Sequence, residues 1–251
     1  MIIIKRKKYF LKIAEVYFSN DDTTEIFDAD IIIHLQASKN TGAGRPFYTL
    51  HINLNKDEDV LFSEMDKNTR YEIRRANEKD NLSAAIYNFP SGDQIKEFCN
   101  YFNKFAITKK LGTCNENKLK VLREIGALSL SFVKDSKGEI LCYHAYIVDR
   151  NRSRLLYSAS HFRLYQDNSR RALYGRANRY LHWADMKYFK KKGLLIYDFG
   201  GLSMNKENKA LSNIDDFKKS FGGNIVIEYN YYKPKTLLGK IAMLYLSHMI
   251  L

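Results

Sequence analysis

The 251-residue sequence contains little cysteine, little proline and no long apolar run. Its three cysteines, Cys99, Cys114 and Cys142, form an odd set without a CxxC pair, which argues against a disulfide scaffold and a cysteine-rich zinc site. The three prolines, together with 45% hydrophobic residues, argue against a disordered chain. The isoleucines at the start precede the basic residues instead of following them as in a signal peptide. We therefore expect a globular cytoplasmic protein with free thiols.

The charge is strongly one-sided, with a formal net charge of +13. A field of this sign attracts polyanions such as nucleic acid, a phosphorylated cofactor or an anionic membrane face. A solvated basic surface explains the same surplus without any ligand, so the charge alone assigns no function.

Hydrophobic periodicity predicts a mixed chain of helices and strands. Helices are expected over 57–76 with a break near Asn68, from a cap at Ser91 or Asp93 to around Lys110, and over 115–125, 169–192 and 214–221. Strands are expected over 48–54, 128–133, 140–148, 154–160, 194–197 and 225–232. The strands between 128 and 160 predict an antiparallel meander. The helix over 169–192 then joins two strands, and such a crossover makes the strands parallel.

The segment Tyr197-Asp-Phe-Gly-Gly201 follows the long helix and is the sharpest local signal. Sites in open α/β sheets form beyond the carboxyl ends of strands, where Asp198 is expected. The paired glycines permit a turn with positive φ and the close approach of a ligand to the backbone. The structural alternative is a tight turn in which Asp198 accepts hydrogen bonds from local amides.

The long helix begins with a basic segment that contains Arg170, Arg171 and Arg176. A helix N-terminus presents free N–H groups and the positive end of a dipole, so this start would form a phosphate cradle. Asn168 or Ser169 would cap the helix in either case. A solvent-facing basic turn without a ligand is an equally good interpretation.

Arg70 and Arg74 lie four residues apart on the predicted helix over 57–76. They share one helix face and would converge on a single anion. A charged outer face without a ligand is the structural alternative.

Four segments occur in the order seen in the FemAB-like transferases, the peptidoglycan-bridge branch of the GNAT superfamily, which the sequence resembles over roughly residues 45–232. They are Arg70–Ala76, Asn178–Trp183, Tyr197–Gly201 and Asp216–Gly223. The resemblance implies an α/β fold with a GNAT-like mixed sheet flanked by helices. It implies a reduced N-terminal GNAT-like part at 1–90, an acyltransferase core at 91–236 and a C-terminal amphipathic helix at 237–251, all within one compact unit.

The resemblance also implies transfer of an acyl or aminoacyl group from acyl-CoA, such as acetyl-CoA, or from aminoacyl-tRNA to an amine, without a metal. The acceptor would be a cell-envelope precursor of the peptidoglycan type or an amino sugar, linked to a lipid or a nucleotide. The expected donor- and phosphate-binding residues are Ser169, Arg170, Arg171, Gly175 and Asn178. The expected substrate-binding residues are Arg70, Arg74, Phe199, Gly200, Gly201 and Lys218.

The catalytic residues expected for this reaction are Asp198 and a tyrosine. Acyl transfer needs a neutral amine and a protonated leaving group. Asp198 would orient or deprotonate the amine, and Tyr197 or Tyr157 would act as the acid. His144 and His161 are expected to be structural.

Two hypotheses from other classes stay open. The net charge and the 18 tyrosines favour a nucleic-acid-binding module, in which aromatic rings between basic residues stack on bases. A non-catalytic GNAT-like partner at the inner face of the membrane is the other. The segment 237–251 predicts a packed terminal helix, and its alternative is an interfacial helix whose neighbours Lys233, Lys235 and Lys240 meet anionic headgroups.

Overall fold

The computed structural model describes residues 1–20, 28–39 and 44–250. Its strands are β1 Ile2–Lys8, β2 Leu11–Tyr17, β3 Ile31–Ala37, β4 Arg45–Asn53, β5 Ser83–Tyr87, β6 Leu128–Lys134, β7 Ile140–Val148, β8 Arg152–Ser160, β9 Ile196–Gly201 and β10 Asn224–Pro234. Its helices are α1 Glu58–Ser63, α2 Lys67–Glu78, α3 Gly92–Lys109, α4 Glu116–Glu124, α5 Asn168–Lys191, α6 Lys209–Lys219 and α7 Leu237–Ile250. Among these helices, none is both long and apolar enough to cross a bilayer.

The chain divides into two compact units. The first unit combines Met1–Thr49 with Ile225–Leu251, and the second unit is the continuous segment Leu50–Asn224. The boundary at residue 90 in the sequence-based division falls inside the second unit. Strand β4 begins in the first unit and ends in the second, since the boundary falls between Thr49 and Leu50.

The first unit contains a mixed sheet in which β2 lies between β1 and β3, and β10 lies on the other side of β3. β1 is antiparallel to β2, β2 is parallel to β3, and β3 is antiparallel to β10. Ala14, Val16 and Ile32 are buried together against this sheet. The periodicity of residues 1–44 predicted none of these strands, because their apolar runs are short and interrupted by charge.

The second unit has the strand order β4-β9-β8-β7-β6-β5. Strands β5 to β8 pair antiparallel, and β8 and β9 pair parallel. The predicted meander and the parallel crossover are thus confirmed. Strand β7 shows why helices cover both faces: Tyr143 packs on Phe98 of α3, while the next residue, His144, bonds to Asn178 of α5. Successive side chains of a strand point to opposite faces, so α3 and α5 lie on opposite sides.

The helix limits differ from the sequence predictions where side chains act as caps. The predicted break near Asn68 lies earlier, between the end of α1 at Ser63 and the start of α2 at Lys67. Helix α6 begins at Lys209 rather than 214, because the Asn208 side chain accepts hydrogen bonds from the first amides. Strand β9 extends through Gly201, so the DFGG segment is strand rather than the predicted turn.

Candidate functional site

Strands β8 and β9 pair from Arg152↔Ile196 to Arg154↔Asp198. Beyond that point β8 continues to Ser160, paired on its other side with β7. The paired register between β8 and β9 therefore stops part-way along β8 and close to the carboxyl end of β9. Sites in open α/β sheets form at such an end.

Asp198 lies at this end, and its carboxylate is fully buried. Its Oδ1 accepts a hydrogen bond from the Gly200 amide at 2.8 Å, and its Oδ2 lies 3.6 Å from both His51 Nε2 and Arg152 Nη1. Burial alone would raise the pKa of this carboxyl, but His51, Arg152 and Arg154 outweigh burial and hold it well below its ordinary value. A buried carboxylate with a lowered pKa is a weak proton acceptor. The geometry therefore speaks against Asp198 as the base and favours a role in holding the neighbouring cations.

The residues after Asp198 serve packing more than binding. Gly200 has a φ of +70°, and a Cβ there would lie 2.9 Å from the Leu155 carbonyl oxygen, so close strand packing requires glycine. Phe199 is buried, with its ring centroid 5.1 Å from that of Phe221. The expected substrate contacts of Phe199 and Gly200 are therefore not supported. Gly201 is half-buried and accepts a hydrogen bond through its carbonyl oxygen.

The donor to Gly201 is Lys218 on α6, whose Nζ lies 2.5 Å from the carbonyl oxygen. Burial lowers the pKa of Lys218 to about 8, while Asp215 raises it and Arg154 lowers it further. This amine is therefore available in both protonation states near neutral pH. The structure places Lys218 at the end of β9, and its predicted contact with substrate stays a prediction.

Two arginines also lie near α6. Arg154 on β8 lowers the pKa of Lys218, and the Arg179 guanidinium of α5 lies 5.0 Å from the ring centroid of the adjacent Phe217. The Nε atoms of both arginines are buried and have no hydrogen-bond partner within the described part of the chain. Buried donors without a partner are costly, and an anionic ligand would satisfy them. We call Arg154, Arg179 and Lys218 the basic cluster.

Tyr197 belongs to a buried hydrogen-bond chain next to this cluster. Its hydroxyl lies 2.7 Å from the Tyr146 hydroxyl and 2.6 Å from His182 Nδ1, and Tyr146 donates to Asp185 at 2.6 Å. Because Tyr146 donates to the carboxylate, it accepts from Tyr197, which in turn accepts from His182. Burial lowers the pKa of His182 well below its ordinary value and raises that of Tyr197 well above its own. This setting does not support the predicted acid role of Tyr197.

Asn178, a predicted donor-binding residue, is engaged in the same network. Its Oδ1 lies 2.9 Å from His144 Nε2, while His144 Nδ1 lies 2.9 Å from Asp185. Tyr157, the second acid candidate, is half-buried and accepts a hydrogen bond from the Asn115 amide at 3.3 Å. These contacts give both residues structural partners.

The N-terminus of α5 is capped by Asp167 rather than by the predicted Asn168 or Ser169. The Asp167 carboxylate accepts hydrogen bonds from the amides of Ser169 at 3.0 Å and Arg170 at 3.3 Å. The Arg170 guanidinium binds Glu139 at 2.5 Å. An acidic cap occupies the amides that a phosphate would need, so the geometry does not support the predicted phosphate cradle.

The two other predicted donor-binding positions on α5 stay predictions. Arg171 is exposed, and Gly175 is half-buried. A Cβ at Gly175 would meet only Arg179 Nη1, at 3.9 Å, among the described residues.

The two arginines of α2 do not converge on one anion. Arg70 donates to the carbonyl oxygens of Ser63, at 2.8 Å, and Met65. The exposed Arg74 lies with its guanidinium 5.1 Å from the Phe62 ring centroid. Arg70 therefore stabilises the connection between α1 and α2. The exposed Arg74 agrees with the structural alternative, a charged outer face.

A cavity of about 400 Å³ lies elsewhere in the second unit. It is lined by residues of α3, the start of β7, the segment before α5, and α5 itself, namely Glu97, Asn100, Tyr101, Lys104, Glu139, Ile140, His161, Leu164, Tyr165 and Tyr174. No residue of the basic cluster or of the predicted site lines this cavity.

Sequence reasoning missed His51, Arg152, Arg154, Arg179 and His182. A partial signal was present for Arg154, at the start of the predicted strand over 154–160, and Arg152 shares its face because β8 begins two residues earlier. His51 and Arg179 give no local signal, because their partners at the site are distant in the sequence.

No family model matches the sequence, and no curated protein matches it. Solved structures do match: FemX superposes with a TM-score of 0.62 over 93% of this chain and 82% of its own, at 15% identity. The chain shares the fold of FemX. This likeness confirms the predicted α/β fold with a GNAT-like mixed sheet flanked by helices.

Two further structures show the same fold. L-PGS from Bacillus licheniformis has a TM-score of 0.55 at 14% identity and covers 88% of this chain and 73% of its own. A C-terminal domain (DUF2156) assigned to a lysylphosphatidylglycerol synthetase from Agrobacterium fabrum has a TM-score of 0.53 at 11% identity and covers 96% and 83%. At these identities the likeness concerns the fold.

Proposed function

We propose that this protein is an acyltransferase that moves an acyl or aminoacyl group from an activated donor to an amine at the carboxyl end of β9. The observation that carries the proposal is Lys218, a half-buried amine whose pKa is lowered to about 8 and which donates to the Gly201 carbonyl oxygen at the end of β9. The fold shared with FemX supports the same class of reaction.

Lys218 has the properties that proton transfer in this reaction requires. The acceptor amine must lose a proton as it attacks the carbonyl carbon, and the departing oxygen or sulfur of the donor must gain one. The neutral lysine accepts the first proton, and the ammonium supplies the second. Because the pKa of Lys218 lies near physiological pH, neither form is rare.

Arg154 and Arg179 bind an anionic group of a substrate in this proposal. Their buried Nε atoms would gain the acceptor that the described residues do not supply. Charge-assisted hydrogen bonds from guanidinium to phosphate or carboxylate are about twice as strong as neutral ones. Asp198 holds the neighbouring Arg152 in place and takes no proton.

Aminoacyl-tRNA is the favoured donor, and acyl-CoA is the alternative. The amides at the start of α5, where a CoA diphosphate would bind, are occupied by Asp167. A polyanionic tRNA also matches the net charge of +13. The proposed acceptor is the amine of a cell-envelope precursor or an amino sugar.

A donor screen with matched lysine variants tests the proposal. The purified protein is mixed with aminoacyl-tRNA or acyl-CoA and with amine acceptors of the two classes, and new amides are detected by mass spectrometry. We expect Lys218→Met to slow transfer by a factor of about 10² to 10⁴. The exposed neighbour substitution Lys219→Met should leave the rate unchanged.

Three results would count against the proposal. Equal rates for Lys218→Met and wild type would remove Lys218 from the chemistry. Binding of tRNA without transfer would favour the nucleic-acid-binding hypothesis. An absence of transfer from every donor, in folded protein, would leave the non-catalytic hypothesis.

A further inference from the structure

The strands of the first unit reach one common level at one end of their sheet. Arg6 pairs with Ile13, Ile13 pairs with Ile31, and Ile31 pairs with Pro234. Beyond this level the turn between β1 and β2 projects from one part of the sheet, and the connection from β10 to α7 projects from another. Both features therefore leave the first unit at the same end.

Asp30 joins the two features. Its Oδ2 accepts a hydrogen bond from the Lys12 amide at 2.8 Å, and its Oδ1 accepts one from Thr236 Oγ1 at 2.7 Å. Its carbonyl oxygen accepts from the Lys235 amide at 2.8 Å, and a Cβ at Gly239 would lie 2.1 Å from that oxygen. The first turn of α7 is therefore held against the loop that also holds the β1–β2 turn. We call residues 5–12 and 233–244 the hairpin–helix surface.

Large apolar side chains are exposed on both parts of this surface. Tyr9 is 88% exposed and Phe10 is 74% exposed at the tip of the turn, and Leu237 is 74% exposed on α7. Tyr9 also has a φ of +54°, a costly backbone conformation for a residue with a side chain. Exposed apolar patches of this kind mark interaction sites.

Basic residues surround these side chains. Residues 5–8 read Lys-Arg-Lys-Lys, and Lys12 follows the turn. Lys233, Lys235 and Lys240 flank or lie on the start of α7, and residues 233–251 contain no Asp or Glu. Among the residues that the structure describes in the loop before β3, Asp28 pairs with Lys12 and Asp30 accepts the bonds described above.

We propose that the hairpin–helix surface binds an anionic phospholipid bilayer. Tyr9, Phe10 and the exposed apolar residues between 237 and 244 enter the interface, while the lysines meet lipid phosphates. A second copy of this chain, with its own charge of +13, would be repelled, and nucleic acid offers no apolar interior for leucine and isoleucine. The inference goes beyond the proposed transferase function and does not depend on it.

Co-sedimentation of the full chain with vesicles tests this surface. Vesicles of phosphatidylcholine mixed with phosphatidylglycerol are compared with vesicles of phosphatidylcholine alone. We expect binding to the anionic vesicles, and an affinity at least about tenfold weaker in Tyr9→Ser/Phe10→Ser and in Leu237→Ser/Ile241→Ser. The matched control Tyr71→Ser/Phe89→Ser changes exposed aromatic residues of the second unit and should bind as wild type does.

Several outcomes overturn the proposal. Equal binding by wild type and both surface variants does so, as does equal binding to the two kinds of vesicle. Binding of an oligonucleotide, or self-association, that is lost in the surface variants while vesicles are not bound would assign the surface to nucleic acid or to a second copy.

A gain-of-signal variant keeps the test valid if a serine variant unfolds. Phe10→Trp places an indole at the exposed tip of the β1–β2 turn. The wild-type protein has only the buried Trp183, so its spectrum gives the background emission. We expect a blue shift of the added emission with anionic vesicles. An unshifted spectrum in the folded variant contradicts the proposal.

Discussion

Asp198 and Lys218 lie at the same end of the second unit, and each has a pKa moved by the groups around it. For Asp198, neighbouring cations outweigh burial and keep the carboxylate ionised. For Lys218, burial prevails over the attraction of Asp215 and favours the neutral amine. The carboxylate is thus suited to holding cations, and the amine is suited to moving a proton.

Substitution of the buried carboxylate should be costly for stability. Asp198→Asn removes a charge that lies beside His51 and Arg152, so we expect the free energy of unfolding to fall by about 3 kcal/mol at pH 7. The pKa of Asp198 is lowered from an ordinary 3.8, so its stabilising contribution is complete above that value and is lost as the pH falls towards the lower, folded-state pKa.

Urea unfolding at pH 7 and pH 3 checks this expectation. The gap between wild type and variant should narrow at the lower pH. The exposed substitution Asp216→Asn on α6 serves as a control and should shift neither value. A gap that is absent at pH 7, or that widens in acid, would show that the carboxylate is not held by its cationic neighbours.

Lys218 predicts a pH dependence at the alkaline side. Its pKa is about 8 in the folded chain against an ordinary 10.5, so the unfolded chain binds more protons between these values. Relative to Lys218→Met, wild type should gain on the order of 3 kcal/mol of stability as the pH rises through this window. Chemical unfolding at pH 7.5 and pH 10.5 measures this gain. The difference in stability between wild type and the exposed control Lys219→Met should not change with pH. A constant difference between the wild-type and Lys218→Met curves would contradict the lowered pKa.

At the scale of elements, the end of α6 shows how a short motif acts through a long-range contact. Gly222 and Gly223 follow the helix with φ values of +80° and +84°. A Cβ at Gly223 would lie 2.5 Å from the His51 carbonyl oxygen on β4. The double glycine therefore ends α6 and also allows the chain to pass close to a strand that lies far away in the sequence.

Gly223→Ala should destabilise the protein by at least about 2 kcal/mol, because the positive φ and the backbone clash both oppose a side chain. Gly92→Ala is the matched control, since that glycine begins α3 and a Cβ there would meet nothing within 4 Å. We expect the control to be neutral or to stabilise by up to about 1 kcal/mol. Thermal and urea unfolding compare the two, and equal stability would show that α6 can shift away from β4.

At the scale of the whole molecule, the basic residues behind the net charge of +13 have different roles in the two units. In the second unit Arg170 and Arg176 pair with Glu139 and Asp80, so part of the positive charge is structural. In the first unit the lysines of the hairpin–helix surface lie beside exposed apolar side chains. The same composition therefore serves internal pairing in one unit and a proposed bilayer contact in the other.

Salt should separate the electrostatic and apolar parts of that contact. Screening shortens to about 3 Å at 1 M ionic strength, so vesicle binding should weaken strongly between 50 mM and 1 M NaCl. Lys7→Glu/Lys8→Glu should bind more weakly at low salt and depend less on salt, whereas Lys67→Glu/Lys79→Glu, with the same charge change in the second unit, should follow wild type. Identical salt dependence in the two variants would mean that the overall charge, and not this surface, drives binding.

Local patterns predicted the part of the fold in which neighbours in sequence are neighbours in space. The meander over β6, β7 and β8 follows from period-two alternation and turn residues. The parallel pairing of β8 and β9 follows from the length of α5 between them. Strands β1 to β3 were not predicted, because charged residues interrupt the apolar runs of β1 and β2 and because β3 pairs with β10, which is distant in the sequence.

The site residues named from the sequence stay predictions, and the structure shows what surrounds them. Lys218 on α6 donates to the Gly201 carbonyl oxygen, on the same strand as Asp198. Local patterns do not reveal that His51 and Arg152 lie near the carboxylate of Asp198. The amides at the start of α5, expected to bind phosphate, donate to the side chain of Asp167, one residue before the capping residues considered.

The sequence by itself determined the periodic helices and strands, the parallel crossover and the surplus of positive charge, because these depend on local geometry and on composition. Only the tertiary structure decided which charged groups are buried, which pairs neutralise one another and which cations remain for a ligand. The reason is physical: the pKa of Lys218 and the burial of Asp198 depend on desolvation and on charges contributed by residues far away along the chain.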